Sequence, residues 1–147
     1  MNVHAQYTIT SDSITDGVTS EQFLREQYQW FHKGFQDYKP NSSTIKKIKL
    51  HASALSFIAV MGTWCSDSRE HIPSFFNVIN AAGIRPNQVE LIGTLRNKKS
   101  THIDVSKLQI EFVPTIIVFY DGKEIGRIIE NTKKSMEHDL LNIIKHK

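Results

Sequence analysis

The sequence predicts an α/β protein: a central mixed β-sheet flanked by helices, with a helical extension at the N-terminus. Three observations carry this. An apolar run (Leu55, Phe57, Ile58, Val60, Met61) reads as a buried strand and gives way, across Gly62-Thr63, to a helical pattern in Ile72, Phe75, Phe76, Val78 and Ile79. Two further apolar runs follow at 89–93 and 113–120, the second ending in Asp121-Gly122, a hairpin turn signal. Upstream, Phe23, Leu24, Tyr28, Phe31, Phe35 and Tyr38 recur at helical spacing until Pro40.

In chain order, Tyr7, Ile9 and Ile14 alternate with polar residues, as in a short edge strand or an extended arm. Thr19 with Gln22 has the form of a capping box, and Val18 with Phe23 that of a hydrophobic staple, so one helix is expected from Thr19 to Pro40. Its aromatic stripe reads as core packing. A shorter helix is expected from a Ser43 or Thr44 cap through Ile45 and Ile48 to about Leu50. The helix after the central strand should stop at Gly83 and be kinked by Pro73. Residues 96–101 read as polar loop and 103–110, with Val105 and Leu108, as a weak helix. Pro114 near the start of the next strand is tolerated there because its missing N–H costs no ladder bond. Ile125, Ile128 and Ile129 mark the returning strand, and Met136, Leu140, Leu141, Ile143 and Ile144 a closing amphipathic helix.

Composition narrows the function. At 147 residues the chain is expected to form a single structural domain, with 1–49 as an arm and helical extension packed on a core of 50–147. With 39% hydrophobic and 22% charged residues it is an ordinary globular mixture rather than a disordered one. The net charge of +3 comes from short, scattered lysine runs, which read as solvated surface and not as a nucleic-acid footprint. No apolar run approaches the roughly 20 residues of a membrane span. A single cysteine forbids an internal disulfide and fits a reducing, cytoplasmic setting. The small residues of Val3-His4-Ala5-Gln6 leave open a periplasmic or exported mature form whose signal peptide has been removed. The seven histidines show no metal-ligand spacing with one another or with the cysteine, so no metal is expected.

The lone cysteine is where the chemistry points. Cys65 follows the Gly62-Thr63 break at the expected start of a helix, where unpaired N–H groups favour the thiolate, the nucleophilic form. A Ser68 hydroxyl one turn on is placed to donate to the sulfur anion. Asp67 adds charge of the opposing sign, with Arg69 or His71 as candidates to offset it. The bland readings are a buried core cysteine, Ser68 as a helix-start residue and Asp67 as a first-turn acid; the break before Cys65 favours exposure over burial.

The order strand, Trp64-Cys65-Ser66-Asp67-Ser68, helix, strand, Val113-Pro114-Thr115, hairpin and helix resembles the thioredoxin-like superfamily over 50–147, and within it the bacterial proteins with Gly-Thr-Trp-Cys-x-Asp-Ser. The resemblance implies Cys65 as nucleophile, with Trp64, Ser66 and Asp67 shaping its surroundings, and Pro73 as the helix-kinking proline. It also implies a cis-proline at Pro114 and substrate pairing on Val113, with Gly122 and Gly126 in the final hairpin. Two positions depart: Ser68 replaces the resolving cysteine, and Ala59 replaces the buried acid. Attack on a disulfide remains possible, but release of the mixed disulfide then needs an external thiol such as glutathione rather than a bound cofactor. Three readings follow. One is a monothiol disulfide oxidoreductase acting on protein or small-molecule disulfides. Another is a non-catalytic peptide-binding module. The weakest is an iron–sulfur site through Cys65, because the glycine pair of glutathione-binding relatives is missing from 119–129.

Overall fold

The computed structural model describes residues 6–147. The possible processing site at Val3-His4-Ala5-Gln6 falls almost wholly outside the described residues.

Strands β1 (Gln6–Ile9), β2 (Thr15–Thr19), β3 (Leu55–Met61), β4 (Val89–Gly93), β5 (Thr115–Tyr120) and β6 (Lys123–Ile129) form one sheet in the order β1-β2-β4-β3-β5-β6. Only β3 and β4 run parallel; the other four neighbouring pairs are antiparallel. The parallel pair is the one with a full helix in its crossover, as a parallel connection requires. The helices are α1 (Glu21–Gln27), α2 (Gln29–Asp37), α3 (Ser42–Lys49), α4 (Ser66–Ala81) and α5 (Met136–Lys145). None is long and apolar enough to cross a membrane.

The pleat of β3 divides the core. Leu55, Phe57, Ala59 and Met61 face one way and pack with Leu24, Phe31, Ile48, Phe75, Ile79 and Leu140, so every helix contributes to this side. Ile58 and Val60 face the other way and pack with Ile92 of β4 and with Ile103, Val105, Ile110 and Val113, which lie in an irregular segment instead of a helix. The weak helix expected over 103–110 shrinks to a single 3-10 turn at Ser106–Leu108. Asp104 accepts from the Ser106 N–H and hydroxyl, a local competitor to helix, and left-handed Gln109 (φ 55°) ends the turn.

The N-terminal part differs most from expectation. It adds a β-hairpin to the sheet, with β2 paired to β4, as well as the helices. Thr19 is the last residue of β2, and the cap of α1 is Ser20, whose hydroxyl accepts from Phe23 N at 3.1 Å. The expected Val18–Phe23 staple is not formed: Val18 packs with the cluster on the other side of the sheet, and Phe23 meets Tyr7 of β1, with ring centroids 4.5 Å apart. The single helix expected from Thr19 to Pro40 is broken at extended Tyr28. Its hydroxyl donates to Ser13 O and is also hydrogen-bonded to Thr15 Oγ1, each at 2.7 Å, and these bonds tie the break to the hairpin. Asn41, not Ser43 or Thr44, caps α3.

Helix α2 lies directly against α4. A Cβ on Gly34 would sit 3.0 Å from Pro73 Cβ, and Asn77 donates to the carbonyls of Phe35 and Tyr38 at the end of α2. Glycine is what permits this approach, and Asn77 satisfies carbonyls that the helix end leaves open. The α4 helix stops as expected, with Gly83 at φ +76°.

Candidate thiol site

Three pieces of chain converge on Cys65: the loop after β3, the start of α4 and the segment before β5. The loop is tight because Cys65 N–H donates to Gly62 O at 3.0 Å. Gly62 is required there, since a Cβ would lie 2.5 Å from the Trp64 indole. That indole covers the loop and donates through Nε1 to Thr94 O at 2.9 Å. Thr63 Oγ1 accepts from the N–H of Thr15 at 3.2 Å, so the N-terminal hairpin holds the loop from behind.

Cys65 is the N-cap residue of α4, in extended conformation, and its side chain makes no capping bond. The thiol is half-buried and packs on the edge of the cluster formed by Val60, Ile92, Val105 and Val113. Sγ donates to Val113 O at 3.5 Å, and the Val113–Pro114 peptide bond is cis. Ionisation of the thiol would remove the proton held on that carbonyl. Val113 and Pro114 are themselves buried, and the polar group that meets the thiol from this side is the Val113 carbonyl.

The remaining sequence-predicted residues divide. Ser66 is exposed and Asp67 half-buried, with no cation within 4.0 Å of Asp67 among the described residues. Ser68 is fully buried, and its Oγ accepts from Gly62 N–H at 3.1 Å. The expected Ser68–sulfur hydrogen bond is not formed: the hydroxyl points back under the loop and fixes its shape. His71 turns away from the thiol to Asn131, at 3.0 Å, which leaves Arg69 as the cation near the helix start. Arg69 Nε donates to Thr63 O at 2.7 Å, and its guanidinium lies 5.8 Å from the centre of the Trp30 ring. Ala59, at the position of the family's buried acid, is fully buried in the helix-side core.

Sequence reasoning missed Trp30, Thr15 and Thr94. Trp30 alone gave a signal, as a large aromatic lying off the apolar stripe of its segment. Among the described residues no group of three or more His, Cys, Asp or Glu side chains is placed to hold a metal ion.

A thiol at the start of the helix after β3, facing a cis-proline before β5, sits on a mixed sheet with β3 at its centre. The fold is thioredoxin-like. No family model matches the chain, and no curated protein matches it. Among solved structures it is similar to a protein of unknown function from Pseudomonas aeruginosa, at 14% identity and a TM-score of 0.56, covering 85% of this chain and 84% of that one. It is also similar to Fasciola hepatica thioredoxin, at 20% identity and a TM-score of 0.44, covering 68% of this chain and 88% of that one. Mitochondrial thioredoxin 3 from Saccharomyces cerevisiae gives 21% identity and a TM-score of 0.43, covering 76% of this chain and 97% of that one. At such identities the likeness concerns fold alone.

Proposed function

We propose that the protein is a thiol–disulfide oxidoreductase working through one thiol. The observation that carries this is the half-exposed Cys65 sulfur on the uncapped N-terminus of α4, 3.5 Å from the Val113 carbonyl. In the first step the Cys65 thiolate attacks one sulfur of a disulfide R–S–S–R. A Cys65–S–S–R bond forms, the original S–S bond breaks, and RS⁻ leaves with the electron pair. Ser68 cannot resolve this adduct because it holds oxygen where a second sulfur would be needed. An external thiolate R′S⁻ then attacks the sulfur of the R group, restoring Cys65–S⁻ and releasing R–S–S–R′. The partner is a protein or small-molecule disulfide and the resolving agent a small thiol such as glutathione.

Intact mass after incubation with oxidised glutathione, followed by reduced glutathione, tests this. The expected result is one glutathione added rapidly at Cys65 and then removed. A thiol that reacts no faster than free cysteine would leave the second reading, a thioredoxin-fold module that grips peptides without turnover. That reading draws on Phe112, which is 45% exposed beside Val113 and offers an apolar contact next to the backbone.

A further inference from the structure

Arginine usage in this molecule is uneven. Arg25 pairs with Glu21, Arg96 with Asp12 and Arg127 with Glu124. Arg85 has neither a carboxylate nor a side-chain hydrogen-bond donor role among the described residues. Arg69 alone is anchored and yet has no carboxylate within 4.0 Å among the described residues. Its backbone N–H donates to Cys65 O at 3.0 Å, its Nε–H to Thr63 O at 2.7 Å, and its guanidinium lies over Trp30. Thr63 and Cys65 flank Trp64, so the guanidinium is tied to the very loop that carries the thiol.

Of the five guanidinium N–H groups, the one on Nε is spent on Thr63. The four on Nη1 and Nη2 meet no protein acceptor among the described residues, and the side chain is exposed. An anchored, planar fork with its outer edge open matches a carboxylate, and less of its freedom is lost on binding than for an unanchored lysine. We propose that Arg69 is a specificity-determining residue that receives a carboxylate carried by the disulfide partner, making acidic disulfides the preferred substrates. This rests on the reading of Cys65 as the reacting thiol. It also gives the N-terminal extension a part in that chemistry, because Trp30 on α2 supplies the surface on which Arg69 is held. Asp67 opposes any approaching anion, and the fixed position of Arg69 is what counters it.

The test compares second-order rate constants for the first step with two disulfides, anionic 3,3′-dithiodipropionate and neutral 2-hydroxyethyl disulfide. Each adds one half to Cys65 and releases the other half as thiolate. In Arg69→Gln the anionic rate should fall relative to the neutral one by roughly threefold to tenfold at low salt, with a smaller fall at high salt. Arg69→Lys should recover part of the ratio, having the charge without the fork. A purely structural role, or a general effect on thiol reactivity, moves both rates together and leaves the ratio where it was. An unchanged ratio in Arg69→Gln overturns the proposal. So does an equal change in Lys123→Gln, at the far end of β5 from Pro114, because the selectivity would then belong to the overall charge. Peptide disulfides with Glu or Gln beside the cysteine repeat the comparison. A larger Arg69 dependence for that pair than for the small acids assigns the carboxylate to a peptide, and a smaller one to a small acidic thiol. Should neither small disulfide react faster with Cys65 than with free cysteine, the oxidoreductase reading fails, while the ratio still reports on Arg69.

Discussion

Three helices of this molecule cap their own N-termini with a side chain, and two, α2 and α4, do not. Ser20, Asn41 and Ser135 each accept a hydrogen bond from the N–H three residues on, at the starts of α1, α3 and α5. Helix α4 is the longest of the five and starts on Cys65, whose side chain makes no capping bond. α2 also lacks a side-chain cap, but it continues almost directly from α1 across Tyr28. On the function proposed above, the difference separates helices that serve packing from the one that carries the reacting thiol. Where stability is all that is needed, an oxygen is set against the first-turn amides. At α4 a sulfur stands in that place, and the loop is shaped instead by Gly62, Trp64 and Ser68.

The largest effect comes from removing the sulfur. Cys65→Ser should abolish adduct formation with any disulfide, read by intact mass, and yet it should not weaken the fold. A serine hydroxyl in the extended N-cap conformation can accept from the first turn, so unfolding free energy should rise by up to about 1 kcal/mol. A loss of stability instead would mean that the sulfur is a packing group. Gly62→Ala tests the loop geometry from the other side. Its Cβ would meet the indole at 2.5 Å and must displace Trp64 from Thr94. The expected cost is about 3 kcal/mol in denaturant unfolding, the upper end for overpacking.

The central strand, α4 and its stop at Gly83, the Asp121-Gly122 hairpin and β5, though it starts at Thr115 and not at Val113, were legible because each has a local cause: an apolar run, a break residue or a turn pair. The same holds for the position of Cys65. What the sequence concealed depends on contacts across the chain. Tyr28 continues a helical pattern and breaks it only because its hydroxyl reaches Ser13 and Thr15. Nothing near Thr15 shows that its N–H will end on Thr63, 48 residues away. Ser68 reads equally well as a donor to sulfur or as an acceptor within the loop, and only the path of the chain decides for the latter.

Away from the thiol, a buried carboxylate ties helices together. Glu137 in the first turn of α5 is buried, accepts from the Tyr38 hydroxyl and from Asn41 N–H at 2.7 Å, and so clasps the N-terminal helices to the closing helix. Burial alone would raise its carboxyl, but these hydrogen bonds outweigh it and hold the group below its ordinary value. Burial first, and then Glu137 itself, push the Tyr38 phenol up, so that it stays a donor. Because the folded carboxyl lies below the unfolded one, its stabilisation is complete above the unfolded value of about 4.3 and is lost as pH falls through the folded value. Glu137→Gln should therefore cost about 2 kcal/mol at pH 7, with the gap to the parent narrowing below about pH 4. Asp16, also held low, titrates in both proteins and cancels in that difference. A gap that does not depend on pH would assign the role of Glu137 to shape instead of charge.

The smallest effect bears most directly on the contrast between helix starts. Asn41 Oδ1 accepts from Thr44 N–H and from the Thr44 and Ser43 hydroxyls, all within 2.9 Å. Asn41→Ala removes that acceptor while keeping the backbone N–H that Glu137 uses, so the loss should be close to the usual cap value of about 1 kcal/mol. Chemical denaturation of Asn41→Ala and Cys65→Ser in the same buffer then gives two changes of opposite sign at equivalent positions of two helices. Equal signs would mean that α4 already satisfies its first turn by other means, and the sulfur would then owe its position to packing on Val113 rather than to an N-terminus left open for it.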